Sequence, residues 1–186
     1  MIIFGVSESI DSLLTHATRA RLQQRFGDAR RDLQQAVEMG SRSQDQPRLA
    51  RALAALGQIE RDLHNADDAL RLYEEAVEIY RQLNSSLKVA HTGRHVADIL
   101  REMGRLAASE TSYSEALGIY RAHPETAPLE LANALRGYAL LKEALGDNAS
   151  ALGMWKEAGS LYAVANVQAG VVESSRKVAR LEKTGA

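Results

Sequence analysis

The sequence predicts an all-α fold of four helix-turn-helix units repeated along the chain, with a fifth, single helix at the end. Three observations carry this. The stretch HNADDALRLYEEAVEI, from His64, has three relatives, beginning at Gln24, Gly104 and Gly146, so that the copies are spaced by 40, 40 and 42 residues. Aligned without gaps, the copies agree column by column in size and polarity. Each is preceded by a second helical stretch with a recurring small residue of its own, and no alternating strand pattern interrupts them.

The units follow in order. The first, about residues 8–41, joins IDSLLTHATRARL (from Ile10) to QRFGDARRDLQQAVEM (from Gln24). The second, about 47–83, joins ARALAALGQIERDL (from Ala50) to the copy at His64. The third, about 87–122, joins AHTGRHVADILREM (from Ala90) to GRLAASETSYSEALGI (from Gly104). The fourth, about 128–163, joins ANALRGYALLKEAL (from Ala132) to GDNASALGMWKEAGSL (from Gly146). In the second helix of each unit one small column reads Ala29, Ala69, Ser109 and Ala151, and another reads Ala36, Ala76, Ala116 and Ala158. Between them lies a large column, Leu33, Tyr73, Tyr113 and Trp155. In the first helix the small column is Ala17, Gly57, Ala97 and Ala139, seven residues before each turn. Small residues let neighbouring helices approach closely, and the large side chain fills the space beside the contact. The tail GVVESSRKVARLEKTGA predicts a last helix over about 170–183, which either caps the array or begins a further unit.

The turns carry their own signals. Gly104 and Gly146 stand where a helix C-terminus favours glycine, while Gln24 and His64 take that place in the other two units. Asn65 and Asp147 are candidates to cap the helices that follow. Pro47 and Pro128 fall where a first helical turn tolerates proline.

Composition narrows the function. Apolar residues make up 45% of the 186 residues but aromatics only 5%, so alanine and leucine must build the core. A net charge of −1 gives no global field for nucleic acid or an anionic membrane, and neither is expected as a partner. The absence of cysteine excludes disulfides and thiolate chemistry. The opening MIIFGVSESID lacks the basic and apolar regions of a signal peptide, and no stretch approaches the ~20 apolar residues of a membrane span. A cytoplasmic location is the expectation.

The order glycine, short turn, alanine, an aromatic four residues on and alanine three after that, best seen in Gly104–Ala116 and Gly146–Ala158, resembles the tetratricopeptide repeat family. The resemblance covers about residues 8–163. The usual period of that family is 34 residues; the longer period here is similar to its kinesin-light-chain-like subgroup. The resemblance implies a right-handed α-α superhelix, a single domain over 1–186, and protein binding as the common property.

Catalytic chemistry finds little support. His91, His95 and Asp98 share one helical face and form the best metal candidate, but Thr92 stands where a zinc-protease helix has glutamate, and ordinary polar residues are the preferred reading. No phosphate-binding glycine loop, nucleophile elbow or calcium loop occurs. Trp155 lies in the large core column and reads as core. The protein is expected to be no enzyme and to hold no cofactor and no metal.

The family resemblance implies that the first helix of each unit lines a concave groove. Its positions there give Arg51, Arg61, His91, Arg94, Asp98, Arg101, Asn133 and Arg136 as candidate partner-binding residues. Arginine's planar fork suits carboxylates, so one reading is a protein or peptide partner with acidic side chains or a free C-terminal carboxylate. The other is that these arginines pair with Asp98, Glu102 and Glu143 and keep the face soluble. The family's chaperone-tail clamp is missing: Leu14, Thr18 and Ala55, then Ala54, Gln58 and His95, occupy its places. The expected function is a scaffold or adaptor. The alternative is a sensory or regulatory module of a larger signalling or transcriptional system answering a small ligand or peptide. Self-association through the end faces is compatible with both.

Overall fold

The computed structural model describes residues 9–185, and the N-terminal stretch read for a leader lies almost wholly outside them. Among the described residues there are nine helices and no strand, an all-α helical repeat fold. They are α1 (Ile10–Leu22), α2 (Phe26–Ser43), α3 (Gln46–Asp62), α4 (Ala66–Gln82), α5 (Ser86–Glu102), α6 (Leu106–Ala122), α7 (Pro128–Ala144), α8 (Asn148–Val164) and α9 (Gln168–Lys183). Two compact units divide at Ser85 and Ser86. In the first, α1 packs on α2 and α3 on α4, α2 meets α3, and α1 touches α3. In the second, α5 pairs with α6, α7 with α8 and α8 with α9, and α5 touches α7.

One local device makes most of the turns. His64 has a φ of 63°, its N–H bonds the carbonyl of Arg61, and the N–H of Asn65 bonds back to Glu60. This left-handed closure satisfies the last carbonyls of α3. It recurs at Gln24, Gln44, Asn84, Gly104, Gly146 and Asn166, whose φ values lie between 52° and 78°. Glycine adopts that conformation freely, whereas the Cβ of Gln24 and His64 is crowded there. The expected glycine positions are thus kept in geometry even where the residue type is not. Capping is less uniform. Asp147 accepts from the Ser150 N–H at 3.1 Å, but Asn65 does not cap α4: its amide instead donates to Glu60 at 2.8 Å. Pro47 and Pro128 sit in the first turns of α3 and α7.

The repeated columns form the core. All eight residues of the two small columns in α2, α4, α6 and α8 are buried, and so are Leu33, Tyr73, Tyr113 and Trp155. Ser109 replaces alanine by donating its hydroxyl to the Ala97 carbonyl at 2.8 Å, which satisfies the buried oxygen. The opposing small column is equally buried, and at Gly57 an added Cβ would lie 3.1 Å from the Tyr73 ring. Two glycines outside the columns come closer still. A Cβ on Gly137 would meet the Tyr113 hydroxyl at 2.5 Å, and one on Gly170 would meet the Tyr162 ring at 2.4 Å.

Candidate interaction face

The candidate residues stand on the first helices of the hairpins. In the first unit, Asp11 on α1 receives two arginines from α3: Arg48 donates to it at 2.8 Å and Arg51 at 3.0 Å. Arg48 also holds Asp45 at 2.6 Å. The hydrogen bond from Arg48 keeps the Asp11 carboxyl below its ordinary pKa. Further along the same two helices, Arg21 pairs with Asp62 at 2.5 Å. Arg51 keeps 52% of its side chain exposed, so its pairing leaves it accessible. Arg61 is half-buried near the end of α3, where its carbonyl closes the turn.

In the second unit the polar groups form two buried links and an exposed rim. Asp98 is buried and accepts the Tyr113 hydroxyl at 2.5 Å on one oxygen and Arg94 at 3.0 Å on the other. Arg94 also meets Nε2 of His95 at 2.9 Å. Its side chain is only 11% exposed, so this arginine is part of the interior wall rather than a free cation on the face. Burial and the neighbouring Asp98 charge drive the Tyr113 hydroxyl well above its ordinary pKa, so it remains a hydrogen-bond donor. Asn133 accepts from Tyr162 at 2.8 Å, which ties α7 to α8.

The rim is exposed. His91 on α5 contacts Glu130 on α7 at 2.9 Å, and Tyr120 donates to the same carboxylate at 3.2 Å. Hydrogen bonding from His91 holds the Glu130 carboxyl below its ordinary value. Arg136 on α7 grips Glu173 on α9 through both carboxylate oxygens, at 2.7 and 2.9 Å, and this bond raises the Arg136 pKa further. Arg101 meets Glu102 at 3.3 Å. Glu143 takes the Trp155 indole N–H at 2.6 Å, together with Lys177 and Arg180. The anticipated pairing of arginines with Asp98 and Glu102 is therefore present, while Glu143 is satisfied by an indole and by cations from α9.

His91, His95 and Asp98 do share a helix, and the two rings meet edge to face, but His91 contacts Glu130 while Arg94 stands between His95 and Asp98. Among the described residues no three His, Cys, Asp or Glu side chains converge as a metal site. No helix among them is long and apolar enough to cross a membrane.

Residues 9–82 match the family model described as tetratricopeptide repeat. By that match residues 9–82 are a tetratricopeptide repeat segment, and the helical repeat fold continues through the rest of the described chain. No curated protein sequence matches it. Solved structures share the fold of the chain at 18% identity. BtubC (BKLC) from P. vanneervenii aligns with a TM-score of 0.72 over 93% of this chain and 81% of its own. A Signal Transduction ATPase with Numerous Domains protein with a tetratricopeptide repeat sensor, from Pyrococcus horikoshii, aligns with a TM-score of 0.80 over 91% of this chain and 26% of its own. A Rap protein complexed with competence and sporulation factor aligns with a TM-score of 0.77 over 95% of this chain and 49% of its own. The chain thus spans about a quarter and about half of the latter two.

Sequence reasoning placed Asp11 on this face without its arginine partners and missed the acids Glu130 and Glu173. Asp11, Glu130 and Glu173 each sit 37–40 residues from the basic side chain they hold. The available signal was the repeat period itself: a residue on one first helix lies beside residues about one period away on the next.

Proposed function

We propose that this chain is a non-enzymatic scaffold that captures a peptide or partner protein in a concave groove lined by its first helices. The repeat fold is typically a non-enzymatic interaction module, which supports the general class. The observation that carries the finer reading is the state of the rim side chains. Arg51, His91 and Arg136 are each oriented by an acid on a neighbouring first helix, yet keep between 42% and 52% of their surfaces open. Long side chains fixed in this way have already lost part of the rotamer freedom that binding would otherwise remove. A partner carrying carboxylates can use the remaining N–H donors of the arginines. The Rap protein, whose fold this chain shares, is complexed with a factor, which accords with the reading. A regulatory sensor module is the second reading, favoured by the likeness to the repeat sensor of the P. horikoshii protein, of which this chain spans about a quarter.

The test is quantitative affinity for a partner recovered from the native cell. Replacing Arg51 or His91 with glutamate, which sets a negative charge against an acidic partner, is expected to weaken binding at least about tenfold at low salt and less at high salt, because exposed charges are screened over ~8–10 Å. Arg71→Glu, on the outer helix α4, should change it less than about twofold. Equal losses at Arg51 and Arg71 would remove the first-helix face from the account.

A further inference from the structure

Among the described residues α9 has no second helix packed on it, and beside α8 it borders an open groove of about 480 Å³. On α9 the groove runs from Val171 to Glu182, three turns or about 16 Å. Trp155 and Gly159 of α8 form part of the opposite wall.

The repeat shows what such a groove holds. Counted from Ala50, Ala90 and Ala132, the eighth residue of each first helix is small and meets the large side chain of the helix that follows. An added Cβ on Gly57 would touch the Tyr73 ring, Ala97 and Tyr113 share one buried cluster, and Ala139 and Trp155 share another. The polar end of each ring is then received by the same first helix. Tyr73 donates to Gln58 at 3.2 Å and Tyr113 to Asp98 at 2.5 Å, both ninth residues, and Trp155 donates to Glu143 at 2.6 Å, a twelfth. Counted from Val172, the eighth residue of α9 is Ala179, exposed in the groove wall. The ninth and twelfth are Arg180 and Lys183, which can only donate. Arg180 is held in part by Glu143, whereas Lys183 is exposed and has no partner among the described residues.

A second irregularity lies deeper. The third residue is Ala52, Thr92 or Ala134 in the earlier first helices, all buried. In α9 it is Ser174, which is 1% exposed and lines the groove. Helical hydroxyls elsewhere bond back to the carbonyl four residues earlier, as Thr18 does to Leu14, Thr111 to Ala107 and Ser160 to Lys156. Ser174 makes no such bond, and its Oγ has no hydrogen-bond partner. A buried hydroxyl left in this state costs free energy that an incoming polar atom restores.

We propose that the groove between α8 and α9 docks an acidic amphipathic helix of a partner protein. Its anchors are a phenylalanine ring seated on Ala179, a carboxylate one turn before the ring and a small hydroxyl residue three after it. The ring follows from the occupant of the same place in the earlier units. The carboxylate follows from charge complementarity: where those first helices offer acceptors, α9 offers Arg180 and Lys183, so the occupant's polar group must accept. The hydroxyl follows from Ser174. Trp155 packs with Ala139, and Ala158, three residues on, with Leu135, so the residue three beyond a ring on Ala179 lies over Ser174 and Ser175. Three turns of groove accommodate these three anchors on one helix face. The surface is apart from the first-helix face of the scaffold reading, and the inference does not rest on that reading.

The probe is a helix-favouring alanine–glutamine peptide of about 20 residues, carrying glutamate, phenylalanine and serine at that spacing. It is titrated into the ¹⁵N-labelled full chain and followed by amide shifts. Saturable shifts are expected over Lys156–Ser160 and Val171–Lys183, with a Kd of about 0.1–1 mM. A peptide with alanine for its phenylalanine should bind at least about tenfold more weakly. Ala179→Leu, which fills the ring seat, should weaken binding about fivefold. Lys183→Glu should weaken the glutamate peptide about three- to fivefold and strengthen one carrying lysine in its place; being fully on the surface, this variant guards against misfolding of the other. Ser174→Ala should weaken the serine peptide about fivefold and leave a peptide with alanine there unchanged. No saturation, equal binding of the phenylalanine and alanine peptides, or an effect of Lys183→Glu that ignores the peptide's charge would overturn the proposal. So would a dimer in sedimentation that Ala179→Leu abolishes, which gives the groove to a second copy of the chain. Arg51→Glu should leave the titration unchanged, so failure here and failure of the scaffold reading are told apart.

Discussion

Gly137→Ala is expected to destabilise the second unit, although alanine is the better helix former. Residue 137 lies inside α7, where alanine ordinarily gains about 1 kcal/mol over glycine. Against that gain stands the contact its methyl would make: 2.5 Å from the Tyr113 hydroxyl oxygen, 2.8 Å from Cε1 of that ring and 2.9 Å from a carboxylate oxygen of Asp98. None of these groups can yield freely. Tyr113 is fully buried, stacks on Tyr138 with ring centroids 5.5 Å apart, and donates to Asp98 at 2.5 Å. Overpacking costs about 1–3 kcal/mol, and loosening a buried hydrogen bond to a charged acceptor adds about 1–3 kcal/mol. The balance is a net loss of about 3 kcal/mol, or a fall in Tm of about 6–12 °C at this chain length. Gly153→Ala in α8, with nothing within 4 Å of its Cβ, supplies the control and should gain up to about 1 kcal/mol. Urea unfolding followed by Trp155 fluorescence, with far-UV dichroism as a second probe, measures both. In a double-mutant cycle, Tyr113→Phe should recover part of the loss, because it removes the nearest atom. If Gly137→Ala proves as stable as Gly153→Ala, the close passage of α7 over Tyr113 is wrong.

Three further outcomes follow from the same structure. Replacing Gln24 or His64 with glycine should stabilise the first unit by about 0.5–1 kcal/mol, read as a rise in urea midpoint, because both hold positive φ and a Cβ is unfavourable there. Ala76→Leu or Ala116→Leu should cost about 1–3 kcal/mol, since both alanines are buried against neighbouring helices, whereas substitution at the exposed Arg81 should cost under about 0.5 kcal/mol in the same measurement. The second unit should lose stability in acid: burial tends to raise the Glu143 pKa, but bonds from Trp155 and Lys177 and the Arg180 charge hold it below the ordinary 4.5, as His91 does for Glu130. A depressed carboxyl stabilises above its unfolded value and ceases to do so as pH falls through its folded value, so Tm should decline below about pH 4.5 and decline less in Glu143→Gln.

The fold class was legible because its determinants are local and repeated. Alanines seven apart with a ring between them report a close helix contact wherever they occur, and four copies fix the register of turns even where Gln24 and His64 replace glycine. Gly137 and Gly170 were not legible as contact positions. Their constraint comes from Tyr113 and Tyr162 on the preceding helix, and no column of small residues marks them. Asn65 shows the limit of capping rules: its side chain has a competing acceptor in Glu60, which is itself buried and also held by Arg30 at 2.7 Å. The candidate face was legible in its helices but not in its charge. Arg94 reads as a groove cation from its position, yet the structure turns it inward onto Asp98 because Tyr113 satisfies only one of that carboxylate's oxygens.

The ion pairs of the face follow a rule that the repeat period makes visible only afterwards. Asp11 and His91 hold equivalent positions, the second residue counted from Ile10 and Ala90, and Arg48 and Glu130 both stand two residues before Ala50 and Ala132. Asp11 pairs with Arg48 in the first unit and His91 with Glu130 in the second, so the acid and the basic side chain exchange sites. The backbone repeat fixes where the two groups meet, while the order of acid and base is free. Exposed pairs contribute about 0–1 kcal/mol whichever way they run, so stability alone does not choose between them. The exchange therefore varies the chemistry presented along the first helices without altering the fold that carries it.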